Sequence, residues 1–121
     1  MTALPEKLDR TPLVNRALNT VLVAEGRIIL CFGRHREIRL FRDFILTRPS
    51  DPGFLCTVSV AHPPGTLFSL LSGRLSHFGV ADENGESNFT ISFNGGCTIT
   101  MPIEAGHRSA EVVVPGHTYR V

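Results

Sequence analysis

The chain has 121 residues, of which 42% are hydrophobic and 19% are charged, and this composition excludes a disordered tail. No break in composition divides it, so we expect a single domain over residues 1–121. A domain of this length buries roughly two-thirds of the surface that its unfolded chain exposes, and therefore needs neither a disulfide nor a metal to be stable. The formal net charge of +1 excludes a strong overall attraction to nucleic acid or to a membrane.

The charges are unevenly distributed along the chain. Residues 1–48 contain nine Lys and Arg against five Asp and Glu, whereas residues 49–121 contain three Arg against six acids. An asymmetry of this kind can orient a charged partner as it approaches.

The three cysteines indicate a reducing compartment. Cys31, Cys56 and Cys97 are odd in number and lie in apolar or β-branched runs, so we expect buried free thiols in the cytoplasm. The first ten residues carry charges where a signal peptide needs an apolar core. The longest apolar runs, such as 28–32, are too short to cross a bilayer. The sequence therefore predicts a cytoplasmic protein with no membrane partner.

The first predicted element is a three-stranded meander over about residues 17–46, which follows one or two helical turns within 5–19. A Glu-Gly turn at 25–26 separates its first two strands. The second strand, 27–32, is apolar on both faces and is therefore expected to lie in the middle of a sheet or to be covered on both sides. The third, 37–40, alternates apolar with charged residues, which is typical of a half-buried strand.

A strand and a short helix are predicted next, over residues 54–71. The run 55–60 reads as a strand. Leu67, Leu70 and Leu71 then follow a Pro-Pro-Gly sequence at helical spacing, which indicates a helix within 63–71.

A second meander is predicted over about residues 74–102. Phe89, Ile91 and Phe93 alternate with polar residues, and Asn84-Gly85 is a strong hairpin signal because both residue types tolerate positive φ. A C-terminal hairpin over 109–121, turning at a Pro-Gly pair, completes the chain.

The two meanders are copies of one pattern. Residues 18–25 align with 75–82, and the later strands also align once four extra residues are allowed near the first turn of the second copy. One three-stranded meander does not bury its apolar face alone. We therefore predict a mainly β fold with one short helix, in which a duplicated three-stranded antiparallel meander packs face to face or edge to edge as a small sandwich or a partly open barrel.

No catalytic, metal-binding or cofactor-binding motif is present in the sequence. The five histidines have no ligand spacing, there is no G-x-S-x-G sequence, and the acidic run 82–86 lacks the later ligand of a calcium loop. We therefore predict no enzyme activity, no catalytic residue, no metal and no cofactor. An enzyme remains an alternative if His77, His107 or His117 meets an acid in the folded chain.

A basic hairpin is the first candidate binding surface. It contains Arg34, His35, Arg36, Arg39 and Arg42. The acidic hairpin tip is the second candidate, and it contains Asp82, Glu83 and Glu86. Three interpretations of the arginines stay open: a solvated face that protects a sheet edge, a docking surface for an acidic protein, or a phosphate-binding surface for nucleic acid. Nucleic acid ranks last because Phe41 is the only candidate stacking side chain.

The chain resembles a family of short, uncharacterised actinobacterial proteins in which a duplicated meander ends each copy with an "F-x-[DN]-G" turn and a proline. The second copy carries the pattern in Ile91-Ser-Phe-Asn-Gly-Gly-Cys-Thr-Ile-Thr-Met-Pro102 and in the preceding 71–76. The first copy matches more loosely at Phe32-Gly33-Arg34, and 114–121 is similar to the family's C-terminal hairpin. The aromatic segment that the family carries before this hairpin is replaced by residues 107–110.

The resemblance covers most of the chain and implies a build similar to that of immunity proteins, which neutralise toxins by direct binding. We therefore expect a non-enzymatic protein-binding domain, an immunity-type inhibitor of a toxin or another partner with an acidic surface. A small-ligand binder with a pocket between the two meanders is the alternative. A nucleic-acid accessory protein that uses the 34–42 hairpin is a further one. If the hairpin binds the partner, reversing the charges of Arg36 and Arg39 should weaken capture without changing the melting temperature. The sequence does not specify the partner or the oligomeric state.

Overall fold

The computed structural model describes residues 2–49, 51–56 and 73–121, and these form a two-layer β sandwich. The described residues contain no helix, and their strands are β1 (Thr2–Ala3), β2 (Thr20–Ala24), β3 (Arg27–Gly33), β4 (Arg36–Leu40), β5 (Phe44–Arg48), β6 (Asp51–Cys56), β7 (Leu75–Glu83), β8 (Glu86–Phe93), β9 (Thr98–Pro102), β10 (Ala110–Val114) and β11 (His117–Arg120).

The two predicted meanders face each other in different sheets. Within the described part of the chain, one sheet has the strand order β1-β11-β10-β4-β3-β2 and the other the order β6-β5-β9-β8-β7. The first meander (β2, β3 and β4) and the second (β7, β8 and β9) therefore occupy opposite layers. This arrangement confirms a mainly β sandwich built on a duplicated meander.

The hairpin after each meander crosses to the other sheet. Leu46 of β5 pairs with Ile99 of β9, and Val112 of β10 pairs with Ile38 of β4. Ile38 and Ile99 are equivalent positions of the repeat, so Leu46 and Val112 are equivalent as well. The repeated unit is therefore a meander plus the hairpin that follows it. Strand β5, which begins within the range of about 17–46 given to the first meander, belongs to the sheet of the second.

The core follows from the period-two alternation of the strands. Alternate apolar residues of β3, β4, β8 and β9 point inward and are at most 3% exposed. Phe32 and Phe93, which are equivalent in the repeat, stack across the two sheets with ring centroids 6.2 Å apart. Three surface clefts, lined in part by Phe41, Leu4 and Gly85, lie outside this packed core, so none of the three is the pocket that the small-ligand alternative places between the two meanders.

The turn chemistry explains the hairpins. Asn84 and Gly85 join β7 to β8 with φ of 52° and 77°, so both occupy the left-handed region that a two-residue hairpin of this type requires. The predicted turn at 25–26 and the C-terminal hairpin are likewise present.

The remaining predictions concern the helix at 63–71, the strand at 55–60 and the helical turns within 5–19. The predicted helix at 63–71 and the part of the predicted strand beyond Cys56 lie outside the described residues. Residues 11–15 form consecutive turns and no helix. The Val14 amide donates to the Arg10 carbonyl oxygen (2.9 Å), but Asn15 then takes a φ of 68°, which does not continue a right-handed helix.

One corner of the sandwich is closed by the segment that precedes β2. Ala17 forms an antiparallel bridge with Arg74, and the Leu75 amide donates to the carbonyl oxygen of Arg16 (3.0 Å). These contacts hold Arg16 and Arg74 near each other at the end of the sandwich where β3 turns into β4. The opposite end, which we call the crossover end, carries the two connections 41–43 and 103–109 that pass between the sheets.

Candidate functional site

The structure divides the basic hairpin between the two ends of the sandwich. Arg34 and His35 form the exposed turn before β4, and Arg42 follows the end of that strand. A five-residue strand spans about 17 Å, so these residues do not form one surface. Strand β4 also lies between β3 and β10, which makes it an interior strand. The interpretation of its arginines as edge protection is therefore wrong.

Arg39 is committed to an ion network on the outer face of its sheet. Its guanidinium contacts Glu37 Oε1 at 2.6 Å and Glu111 Oε1 at 3.1 Å. Burial disfavours the charged guanidinium, but the hydrogen bonds and negative charges of Glu37 and Glu111 outweigh it and raise the pKa of Arg39. Arg108 contacts the other oxygen of Glu111 at 3.3 Å, and Glu111 is only 5% exposed. Arg39 is therefore a structural residue.

Arg42 is also paired, and it meets part of the acidic tip. Its Nη1 lies 2.7 Å from Glu104 Oε2, and Arg42, Glu104 and Glu86 line one surface cleft of about 570 Å³. Glu83 pairs with Glu86 across the hairpin. Asp82 accepts a hydrogen bond from the Ser87 hydroxyl and lines a different cleft. The two predicted surfaces thus approach each other at Arg42 and Glu86.

At the other end, two arginines donate hydrogen bonds to the backbone of the segment before β2. Arg36 Nε donates to the Pro12 carbonyl oxygen (3.0 Å) and its Nη1 donates to that of Arg34 (3.1 Å). Arg74 Nη1 donates to the carbonyl oxygen of Asn15 (2.8 Å). Both side chains are therefore held in place by neutral acceptors.

Two further arginines complete this end of the sandwich. A Cβ atom built on Gly33 would lie 3.6 Å from Arg16 Nη1, and Arg34 follows Gly33 directly. We call this region the arginine end and define it by its four guanidinium groups. They belong to Arg16, Arg34, Arg36 and Arg74.

None of these four side chains forms an ion pair with a carboxylate of the described residues. Arg39, Arg42 and Arg108 each have such a partner, so the contrast separates structural arginines from available ones. Arg16, Arg34 and Arg74 are exposed and Arg36 is partly so. Four like charges without a counter-charge repel one another, and a negatively charged partner would relieve that repulsion.

Sequence reasoning found Arg34, His35 and Arg36 but missed Arg16 and Arg74, which lie far from them in the chain. The repeat contained a partial signal for them. Leu18 and Leu75 are equivalent positions, and Arg16 and Arg74 lie two residues and one residue before them at the starts of the two copies. The edge contact between those two starts is decided by the tertiary structure.

The histidines lie at separate places in the described structure. His77 lines a cleft with Arg10, His107 lines the crossover end, and the His117 ring lies 4.2 Å from that of Tyr119. Within residues 2–49 and 73–121, no histidine forms an ion pair with an acid, and no group of three or more His, Cys, Asp or Glu is placed to hold a metal.

A cleft of about 560 Å³ opens between the two connections at the crossover end. The Arg108 guanidinium lies 3.8 Å from the centroid of the Phe41 ring, and Ile45, which is 45% exposed, lines the same cleft. This cleft therefore combines apolar surface with cations that already have carboxylate partners.

Cys31 and Cys97 are free thiols, but they are half-buried and not fully buried as expected. Burial raises the pKa of Cys31, and the negative charge of Glu37 raises it further. The side chain of Cys56 lies outside the described structure.

None of the described residues belongs to a helix long and apolar enough to cross a membrane. Comparisons with protein-family models, with curated proteins and with solved structures find no match to this chain. The family resemblance therefore stays a prediction.

Proposed function

We propose that this protein is a non-enzymatic binding domain that captures an acidic protein partner with its arginine end. One observation carries the proposal: four guanidinium groups lie at one end of the sandwich without a carboxylate partner among the described residues. Guanidinium groups donate paired hydrogen bonds to carboxylates, which provides geometric specificity as well as attraction.

A protein fits this surface better than nucleic acid does. The described phenylalanines next to the arginine end, Phe32 and Phe93, are buried in the core and offer no stacking surface. The opposite end of the sandwich carries acids as well as arginines, such as Glu104 paired with Arg42 and the exposed Glu86, so the cationic surface does not continue around the molecule. The basic surface is therefore compact, and it favours a partner with a compact acidic patch.

The mode of action that we propose is occlusion. A sandwich that presents four cations at one end, two of them held by backbone carbonyl oxygens, blocks an acidic active site by covering it, as an immunity-type inhibitor covers a toxin. We place this activity in the cytoplasm, in keeping with the free thiols of Cys31 and Cys97.

The test compares two double charge reversals in affinity capture from the source cell. Arg16→Glu with Arg34→Glu alters the arginine end, and neither side chain makes a hydrogen bond in the described structure. Lys7→Glu with Arg27→Glu is the matched control, since it produces the same charge change at exposed positions elsewhere. We expect the first variant to retain about tenfold less partner than wild type, with the control retaining the wild-type amount.

Both variants should keep a melting temperature close to that of wild type, because exposed substitutions away from structural contacts usually change stability by about 0.5 kcal/mol or less. Equal capture by the arginine-end variant and wild type would contradict the proposal. So would a partner that is lost on nuclease treatment. The sequence-based test on Arg36 and Arg39 is unsuitable, because reversing Arg39 would place three carboxylates together around Glu37 and Glu111.

A small ligand in the crossover cleft is the second candidate function. The observation that favours it is the Arg108 guanidinium over the Phe41 ring beside the exposed Ile45. An uncharged aromatic ligand would match that apolar lining. Saturable chemical-shift changes at Phe41 and Ile45 with benzyl alcohol would support this function, and the absence of such changes up to the solubility limit of the probe would remove it.

A further inference from the structure

Gly33 leaves an open notch between two arginines of the arginine end. It closes β3 with a φ of 138°, a conformation that favours glycine, and the strand pairing shifts register between Cys31 and Gly33. A Cβ atom built there would lie 3.6 Å from Arg16 Nη1 and 3.7 Å from Arg36 Cδ, and apart from Gly33 and its two chain neighbours no other described residue comes within 4 Å. The guanidinium of Arg16 and the aliphatic stem that carries the guanidinium of Arg36 therefore border this space.

Arg36 is held in position on one side of this notch. Its Nε and Nη1 donate to the carbonyl oxygens of Pro12 and Arg34, at 3.0 and 3.1 Å. A guanidinium group has five N–H donors, so three remain for a ligand. Because these hydrogen bonds already restrict the Arg36 side chain, ligand binding costs little further side-chain conformational entropy.

Arg16 borders the other side. Its amide donates to the Leu13 carbonyl oxygen (3.2 Å), and its own carbonyl oxygen accepts from the Leu75 amide (3.0 Å), so its backbone is fixed. Its guanidinium makes no hydrogen bond in the described structure and is exposed. All five of its N–H donors are therefore available.

We propose that Arg16 and Arg36 form an oxyanion-binding notch over Gly33, and that a carboxylate of the acidic partner docks there. The choice of a partner's carboxylate rests on the proposed function, whereas the notch itself rests on the local geometry. A carboxylate has two oxygens with about four acceptor sites, so it bridges two guanidinium groups. A phosphate-type anion offers the same chemistry, and its source is distinguished by the choice of probe.

The test is a titration of the purified full chain, followed by nuclear magnetic resonance. Sodium acetate and sodium sulfate are added separately, with sodium chloride adjusted to constant ionic strength so that general screening does not change. We expect saturable shifts of the Gly33 amide and of the Arg36 Nε–H, with smaller changes at Arg27, an exposed arginine at the start of the same strand. Saturation by acetate identifies a carboxylate as the ligand, and saturation by sulfate alone identifies a phosphate-type anion.

Two variants separate the notch from general surface charge. Arg16→Ala removes one of the two guanidinium groups without removing a described hydrogen bond, and we expect it to weaken anion binding about tenfold. Arg27→Ala should leave anion binding unchanged. Gly33→Ala retains every charge but fills the notch, so the saturable response should disappear. If the backbone strain at this position unfolds that variant, Arg16→Ala decides the question alone.

Equal binding by wild type and Arg16→Ala, or equal shifts at Arg27 and Gly33, would overturn the notch. The two proposals fail separately. If the notch binds anions but the Arg16 and Arg34 reversals do not change capture of the partner, the notch stands and the proposed function is refuted. If capture depends on those arginines but no saturable anion binding is found, the proposed function stands and the notch is refuted.

Discussion

Individual arginines of this chain have different roles because of their neighbours, although their side chains are identical. Arg39 lies opposite Glu111 in the strand pairing and two residues after Glu37, and it becomes the centre of an ion network. Arg36, three residues earlier, faces only carbonyl oxygens. The two lie within one strand, so spacing along the chain does not separate them.

The same network predicts the reactivity of Cys31. This thiol pairs across β3 and β4 with Glu37, and burial together with the Glu37 charge raises its pKa. A raised pKa lowers the fraction of reactive thiolate at a given pH, so at pH 8 Cys31 should react with iodoacetamide more slowly than glutathione does. Glu37→Gln removes one cause of the shift and should make the reaction faster, as measured by peptide mass spectrometry. A rate that is unchanged or slower in this variant would contradict the assignment.

At the scale of the elements, turns are specified by local residue chemistry, but whether a turn glycine can be substituted depends on what packs against it. Gly95 and Gly96 lie in the β8–β9 turn with φ of 98° and 96°. A Cβ atom on Gly95 would meet nothing within 4 Å, whereas one on Gly96 would lie 2.8 Å from Pro49 Cγ beyond the end of β5. A side chain at either position would be strained by the positive φ, but only one at Gly96 would also collide with Pro49.

We therefore expect Gly95→Ala to lower the free energy of unfolding by about 1–2 kcal/mol, from backbone strain alone. Gly96→Ala should cost about 1–3 kcal/mol more, because Pro49 must also move. Urea denaturation of the two variants and of wild type measures both values. Equal losses would show that Pro49 yields without cost.

At the scale of the whole molecule, the exchange of hairpins makes the two halves depend on each other. The first meander lacks its flanking strand β10 without the second half, and the second meander lacks β5 without the first. Fragments 1–72 and 73–121 should each fail to unfold cooperatively alone, since each exposes an inner sheet face, and should fold together as a 1:1 complex.

Circular dichroism melts of the separate and mixed fragments, with size-exclusion chromatography, test this expectation. The fragment 73–121 with Val112→Asp is the control, because it places a charge at a fully buried core position and should not restore the fold. A cooperative transition in either fragment alone would contradict the dependence.

Local sequence patterns predict the strands of both meanders, the Asn84-Gly85 and Pro-Gly turns, and inward residues such as Ile91 and Ile99. These follow from alternation and from φ preferences, which involve residues close in the chain. The sequence also contained the repeat, and with it the duplicated sandwich. The alternation did not reveal that strand β5 joins the sheet of the second meander, because a hairpin that crosses to the other sheet has the same alternation as one that remains in its own.

The sheet that each hairpin joins, and the pairs of charged side chains that come into contact, depend on how the whole chain folds. Arg16 reaches the Gly33 turn, and the closed corner at Ala17 brings Arg74 close to Arg16. Arg39 and Arg42 form ion pairs with Glu111 and Glu104 and are therefore not available to a partner. Electrostatic energy depends on distance in space and on burial, and a linear sequence specifies neither. The candidate site is therefore a property of the folded chain.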